Sequence, residues 1–273
     1  MYVYKKIFLE IIKNLLIIFL ILVLLFPLYY LIVLSLKSNT SINNGDFSVL
    51  LKEWNFKNFS FLKDAFFWNA LAVSFGAIIC LIIVRVFTYT LFAWGFLYLN
   101  KYIKKIFYII LIIVSLIPEF SIFLALKMVI SSLKIMNVLT WFNLSTNSIF
   151  SIFLLFNLIS VLEKSKEKVN IYGKIDNLKL IEKFYFLIWK EIKGLILLTI
   201  IFSTISMWNS YLWPSFLLSN NEEQTISIWF RNLGQKSLGS NFVNIQSAGA
   251  LISLIVPLTI YILFSKKINK FIF

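Results

Sequence analysis

Trp208, Asn209, Ser210, Tyr211 and Trp213 place an amide, a hydroxyl, a phenol and two indoles close together in an otherwise apolar stretch, Phe202 to Leu218. Hydrogen-bonding groups beside aromatic faces are what a sugar or another polar solute needs from a site. The same groups can instead bond neighbouring helices, an interaction worth about 0.6 to 2 kcal/mol in a membrane. Arg85 and Glu119 also fall inside apolar stretches. A lone charge there costs at least about 2.5–3.5 kcal/mol, so each must face protein or water. A mutual ion pair locking two helices is one solution, and lining a polar cavity is the other. Lys127 lies near the end of its stretch, where it can snorkel.

Other chemistry is excluded by what the sequence lacks. There is no histidine, and the one cysteine, Cys80, sits within an apolar run, so neither an internal disulfide nor a thiolate metal cluster can form. No G-x-x-x-x-G-K-[ST] or G-x-G-x-x-G motif occurs. The chain is therefore expected to have no catalytic residues, no metal and no cofactor, and any ATP hydrolysis must come from a partner.

The elements that carry these residues belong in a bilayer. Apolar residues make up 60% of the 273 and charged residues 14%, with a mean hydropathy of +0.88. About 20 apolar helical residues cross the hydrocarbon. Six stretches qualify, near 15–36, 70–98, 106–131, 139–161, 194–218 and 246–265. The fourth is the weakest, because Asn143, Ser145, Thr146, Asn147 and Ser148 interrupt it. The first has no charge over 22 positions and no small-residue cleavage site after it, so it reads as an uncleaved span rather than a signal peptide. An all-α membrane protein with about six spans, forming a single transmembrane domain over 1–273, is the fold class expected.

Lysine placement orients it. With both termini in the cytoplasm, seventeen of the 26 basic residues lie on inner segments, eight of them between 163 and 193. The net charge of +14 is thus accounted for by topology and anionic lipid, not by nucleic acid. Within the basic segment, Ile181, Phe184, Tyr185, Ile188 and Ile192 share one helical face, with Lys179, Lys183, Lys190 and Lys193 on another. Such a stripe either rests on lipid or docks into a soluble partner.

The segment and the helix after it resemble the smaller permease subunit of maltose-type, binding-protein-dependent sugar ABC importers. That family carries a cytoplasmic coupling loop, E-A-A-x-x-x-G-x(9)-I-x-L-P, usually with Asp before the Gly, and then W-N-[DE]-[FY]-L-W-P. Trp208, Asn209, Tyr211, Leu212, Trp213 and Pro214 match the second motif, with Ser210 in place of the acid. Stepping towards the N-terminus, Asp176 falls on the family's Asp, Asn177 on its Gly and Leu187 on its Ile. Pro27 to Lys37, Trp54 to Leu62, Leu116-Ile117-Pro118 and Leu133 to Asn137 resemble further family segments in the family's order. The sequence departs from the pattern at Ile171-Tyr172-Gly173, which replaces E-A-A, and at Trp189-Lys190, which replaces L-P. Asn is the commonest non-glycine in the left-handed geometry that the family's Gly supplies, so Asn177 is expected to keep the turn.

The resemblance implies a multi-pass permease of a bacterial cell membrane that moves a carbohydrate or related polar solute inward. Its partners would be a second permease subunit, a dimer of ABC ATPases, an extracellular substrate-binding protein and the lipid bilayer. Gly173, Asp176, Asn177, Phe184, Leu187 and Ile188 would form the ATPase contact within a loop spanning 163–193. Asn209, Ser210, Tyr211, Trp213, Glu119 and Arg85 are the translocation-path candidates. The outer loop 219–245, with Glu222, Glu223, Arg231, Gln235 and Asn241, would meet the binding protein. An ATPase-independent secondary transporter or channel subunit is the alternative; paired broken spans in two corresponding halves would mark it, and no convincing internal repeat is seen.

Overall fold

The computed structural model describes residues 2–136, 138–148, 151–218, 223–234 and 242–272, and of Glu119 it describes the main chain alone. The regular elements among them are all helical. In order they are α1 (Tyr2–Ser35), α2 (Asn39–Asn43), a 3-10 turn (Phe56–Lys63), α3 (Ala65–Phe96), α4 (Lys101–Leu116), α5 (Glu119–Ser132), α6 (Thr140–Thr146), α7 (Ile152–Ile175), α8 (Leu180–Lys183), a π turn (Phe184–Ile188), α9 (Trp189–Trp208), α10 (Leu212–Leu217), α11 (Ile226–Asn232) and α12 (Val243–Ile272).

By length and composition, α1, α3 and α12 can each cross a membrane, and α4 with α5 makes a fourth crossing if that bent pair counts as one. The sequence led us to expect six. The difference arises because three of the expected spans, 106–131, 139–161 and 194–218, are broken helices rather than continuous ones. Proline explains two of the breaks. A proline inside a helix removes an N–H and crowds the carbonyl four residues back, and it biases the preceding residue to extended backbone. Ile117, before Pro118, is extended (φ −74°, ψ 121°), and α4 and α5 meet at 99°. Pro214 falls in the first turn of α10, where a missing N–H costs nothing, so the chain interrupts itself at Asn209 to Tyr211 instead. Pro27 and Pro257, by contrast, lie inside continuous helices.

The expected loop 163–193 is also mostly helix. α7 runs on to Ile175, a short turn follows, and α8, the π turn and α9 continue from it, so the segment is a helical hairpin. Its exit is a Schellman turn: Asn177 adopts the left-handed conformation (φ 45°), Leu178 N–H donates to the Gly173 carbonyl at 3.1 Å, and Asn177 N–H to that of Lys174 at 3.2 Å.

The chain divides into two compact units. The first joins Met1–Phe67 to Phe230–Val256. Two buried amides organise it. Asn58 Nδ2 donates to the carbonyls of Ser35 (2.8 Å) and Lys37 (2.7 Å), and Asn244 Nδ2 donates to Asn39 Oδ1 at 2.7 Å. Lys37 Nζ reaches the Asp46 carbonyl at 2.6 Å and its carboxylate at 3.1 Å. Hydrogen bonds from Ser48, with Lys37 adding its own, hold Asp46 down at about 2.

The second unit joins Trp68–Trp229 to Pro257–Phe273. An apolar cluster in its core draws on α3 (Tyr89, Ala93, Phe96), α7 (Leu155, Leu158, Ile159, Leu162) and α9 with its preceding turn (Ile188, Ile192, Ile196). The indole of Trp141 on α6 lies against Gly76 of α3, where a Cβ would meet the ring at 2.4 Å.

Candidate functional site

The break between α9 and α10 opens a cavity of about 300 Å³ in the second unit. Asn147, Ser148, Ser206, Asn209 and Ser210 supply its polar wall, and Phe120, Phe123, Tyr211, Leu212 and Trp213 its apolar one. Four of the path candidates, Asn209, Ser210, Tyr211 and Trp213, are therefore brought together. They meet because the helix stops, not because a continuous helix carries a polar notch. Asn209 caps α9, its N–H donating to the Ile205 carbonyl at 3.1 Å, and its side chain stays exposed. Trp213 plays a different part from the one its type suggested. It is buried, and its indole N–H is committed to the Asn143 carbonyl at 3.0 Å, so it offers the cavity a ring without a donor. Trp208 packs its ring on Phe75 (5.8 Å), and its carbonyl accepts a bond from Ser227 Oγ at 2.9 Å.

Arg85 lies 3% exposed on α3, donating to Ser203 Oγ at 2.9 Å and to the Ser148 carbonyl. One helical turn on, Tyr89 accepts the Ser151 N–H. The two side chains thus hold the chain at Ser148, beside the cavity, and at Ser151, just before α7. The expected partner of Arg85, the Glu119 carboxylate, lies outside the described residues. Lys127, expected to snorkel, instead donates to the Phe216 carbonyl at 2.7 Å and sits 4.7 Å over the Phe216 ring.

Phe120, Phe123, Ser206, Asn147 and Ser148 were missed as lining residues. The signal for the last two was visible in the polar run 143–148, which had only weakened the fourth span.

The hairpin is the second region. The stripe expected to dock as a unit is split. Ile188 and Ile192 are fully buried in the chain's own core, with Phe184 and Leu187 packed against it. Ile181 and Tyr185 remain 77% and 68% exposed. The cause is the π turn, in which Trp189 N–H bonds the Phe184 carbonyl five residues back. That wide turn holds an extra residue, which rotates what precedes it by about 100° relative to α9. Gly173 is buried under the stem of Lys183, a Cβ there meeting Cε at 2.7 Å, and Asp176 caps α7.

A groove of about 280 Å³ lies on the hairpin between Tyr172, Phe186 and Leu187, flanked by the Lys168–Glu191 ion pair at 2.7 Å. That pair, through the hydrogen bond that Lys168 donates to the Glu191 carboxylate, raises the Lys168 ammonium above its ordinary value. Farther along α7, burial pushes the Glu163 carboxyl up, but hydrogen bonds from Lys104 (2.6 Å) and Tyr108 (2.9 Å) outweigh it and hold the group below the usual carboxylate range. Of the expected outer loop, 219–222 and 235–241 lie outside the described residues, including Glu222, Gln235 and Asn241; Arg231 is in α11.

Broken apolar helices around a polar cavity, joined to a basic helical hairpin, belong to a multi-pass helical protein of a bacterial membrane. A chain of a bacterial ABC transporter involved in the import of the acidic polysaccharide alginate superposes with a TM-score of 0.81 over 96% of this chain and 97% of that one, at 15% identity. In sequence, the chain is 24% identical to a probable ABC transporter permease of Mycoplasma pneumoniae, the MG189 homologue, covering 91% of this chain and 82% of the relative. It is 25% identical to the probable permease MG189 of Mycoplasma genitalium over 90% and 81%. No protein-family model matches. Together the matches support an ABC transporter permease.

Proposed function

We propose that the chain is a permease subunit of an ABC importer that moves a carbohydrate or related polar solute into the cell. The observation that carries the reading is the cavity at the α9–α10 break, where side-chain hydrogen-bonding groups face aromatic rings. That is the lining a polyhydroxyl solute requires. The matched importer of an acidic polysaccharide supports the same substrate class. Both termini and the 163–193 hairpin face the cytoplasm, as the lysine distribution favours. The exposed side chains of the hairpin, Ile181 and Tyr185 above all, dock on an ABC ATPase, while Gly173, Asp176 and Asn177 shape its tip. A second permease subunit completes the channel and an extracellular binding protein delivers solute to it.

The test is reconstitution. The chain is co-expressed with candidate permease and ATPase subunits from the same genome, and the complex is placed in liposomes with a candidate binding protein. Expected is uptake of a carbohydrate that requires ATP and stops when the ATPase is omitted. Uptake undiminished without ATPase would favour a secondary carrier.

A further inference from the structure

Glu163 stands where the hairpin arm meets the rest of the second unit, and its two oxygens are engaged by one neighbour. Lys104 Nζ donates to Oε1 at 2.6 Å and Tyr108 OH to Oε2 at 2.9 Å. The donors are four residues apart on α4 and so share one face. Aromatic rings enclose the contact: Lys104 Nζ lies 5.2 Å over Phe96, whose ring meets Tyr108 edge-on at 5.1 Å, and Tyr108 stacks on Phe156 at 5.7 Å. The side chains of Lys104 and Glu163 are 14% and 33% exposed. The other pair on this arm, Lys168–Glu191, leaves its lysine 59% exposed and is open to screening.

We propose that Glu163 is a positioning residue that transmits movement of the hairpin to the α5 wall of the cavity. The inference rests on the permease reading above. α7 is unbroken from Glu163 to the hairpin tip at Ile175, an arm of roughly 18 Å at helical rise. On the other side of the clamp, α4 is unbroken from Lys104 to Leu116. Beyond it Pro118 fixes its own φ and biases Ile117 to extended backbone, which restricts the joint through which displacement of α4 reaches α5. α5 bears Phe120 and Phe123 on the cavity, and Phe123 packs on Trp213 at 5.2 Å. Two charge-assisted hydrogen bonds to one carboxylate fix orientation as well as distance, which a single exposed ion pair does not.

The test reads the cavity without knowing the solute. Ser210→Cys is introduced into a Cys80→Ser background as a reporter, and the permease–ATPase complex is placed in lipid nanodiscs. Labelling of the thiol by a small maleimide is timed with and without a non-hydrolysable ATP analogue and magnesium. With the clamp intact, nucleotide is expected to change the labelling rate by about fivefold or more, the range of ordinary coupling between sites. Glu163→Ala is expected to reduce that change to less than about twofold while the ATPase still co-purifies. Lys104→Glu with Glu163→Lys is expected to restore it. Where Glu163→Ala lowers yield, Tyr108→Phe removes one prong, and an intermediate response is expected. A full nucleotide response in Glu163→Ala or Tyr108→Phe, or no response with the clamp intact and the ATPase bound, overturns the proposal. Failure of the ATPase to co-purify with the unsubstituted clamp counts instead against the permease reading.

Discussion

α9 is interrupted at both of its ends, and the two interruptions use their residues in opposite ways. At its N-terminal end the π turn at Phe184–Ile188 carries Ile188 into the chain's own core, with Phe184 and Leu187 packed against it, and leaves its own Tyr185 and the preceding Ile181 exposed. At its C-terminal end the break at Asn209–Tyr211 keeps the aromatic Trp213 buried and leaves polar groups facing a cavity. The helix itself is ordinary; its two ends are what separate the exposed surface proposed to meet a partner from the lining proposed to meet a solute. Variants at each end separate the two proposed roles.

The largest effect is expected at Ile188. Ile188→Asp places a carboxylate at a fully buried position in the α3–α7–α9 core, a change of the class that costs more than about 4 kcal/mol. Yield of folded protein in detergent, measured by size-exclusion chromatography, is expected to collapse. A normal yield would mean that the π turn does not direct this side chain inward.

The exposed half of the stripe behaves differently. Ile181→Asp with Tyr185→Asp is expected to leave yield unchanged and to weaken ATPase co-purification by about thirtyfold, as the loss of about 2 kcal/mol at an interface centre would. A fall in yield instead would place these residues with Ile188.

At the other end, Asn209→Ala and Ser210→Ala are expected to leave both yield and ATPase binding intact. Uptake efficiency is expected to fall by about fivefold for each, the size of one lost hydrogen bond of about 1 kcal/mol. Unchanged uptake in both would assign these groups to helix contacts.

The smallest effect concerns the hairpin tip. Asn177→Ala puts a Cβ-bearing residue without a compensating side chain at φ 45° and is expected to cost about 1 kcal/mol, whereas Asn177→Gly is expected to be neutral or slightly stabilising. The thermal midpoint of the detergent-solubilised protein reports the difference.

Much of this was legible from residue types. The long apolar helices α1, α3 and α12 follow from composition, and the left-handed turn at Asn177 follows from aligning it with a glycine. The clustering of Asn209, Ser210, Tyr211 and Trp213 was also visible, as their proximity is local. Three things were not. Hydropathy averages over a window, so it merged α4 with α5 and α9 with α10, although Pro118 and Pro214 marked both breaks. Helical periodicity assumes a constant pitch, so one wide turn was enough to divide a stripe that reads as continuous. Contacts distant in sequence, such as Arg85 with Ser203 or Trp213 with the Asn143 carbonyl, have no local signal at all.

The most direct measurement places a photocrosslinking amino acid at Tyr185 and, as a control, at Phe153, which is similarly exposed (67%) but lies at the opposite end of α7. Illumination of the assembled complex is expected to yield an adduct with the ATP-hydrolysing subunit from position 185 and none from position 153. An assembled complex that crosslinks to the ATPase from 153, or that yields no ATPase adduct from 185, would contradict the assignment of the hairpin as the coupling element.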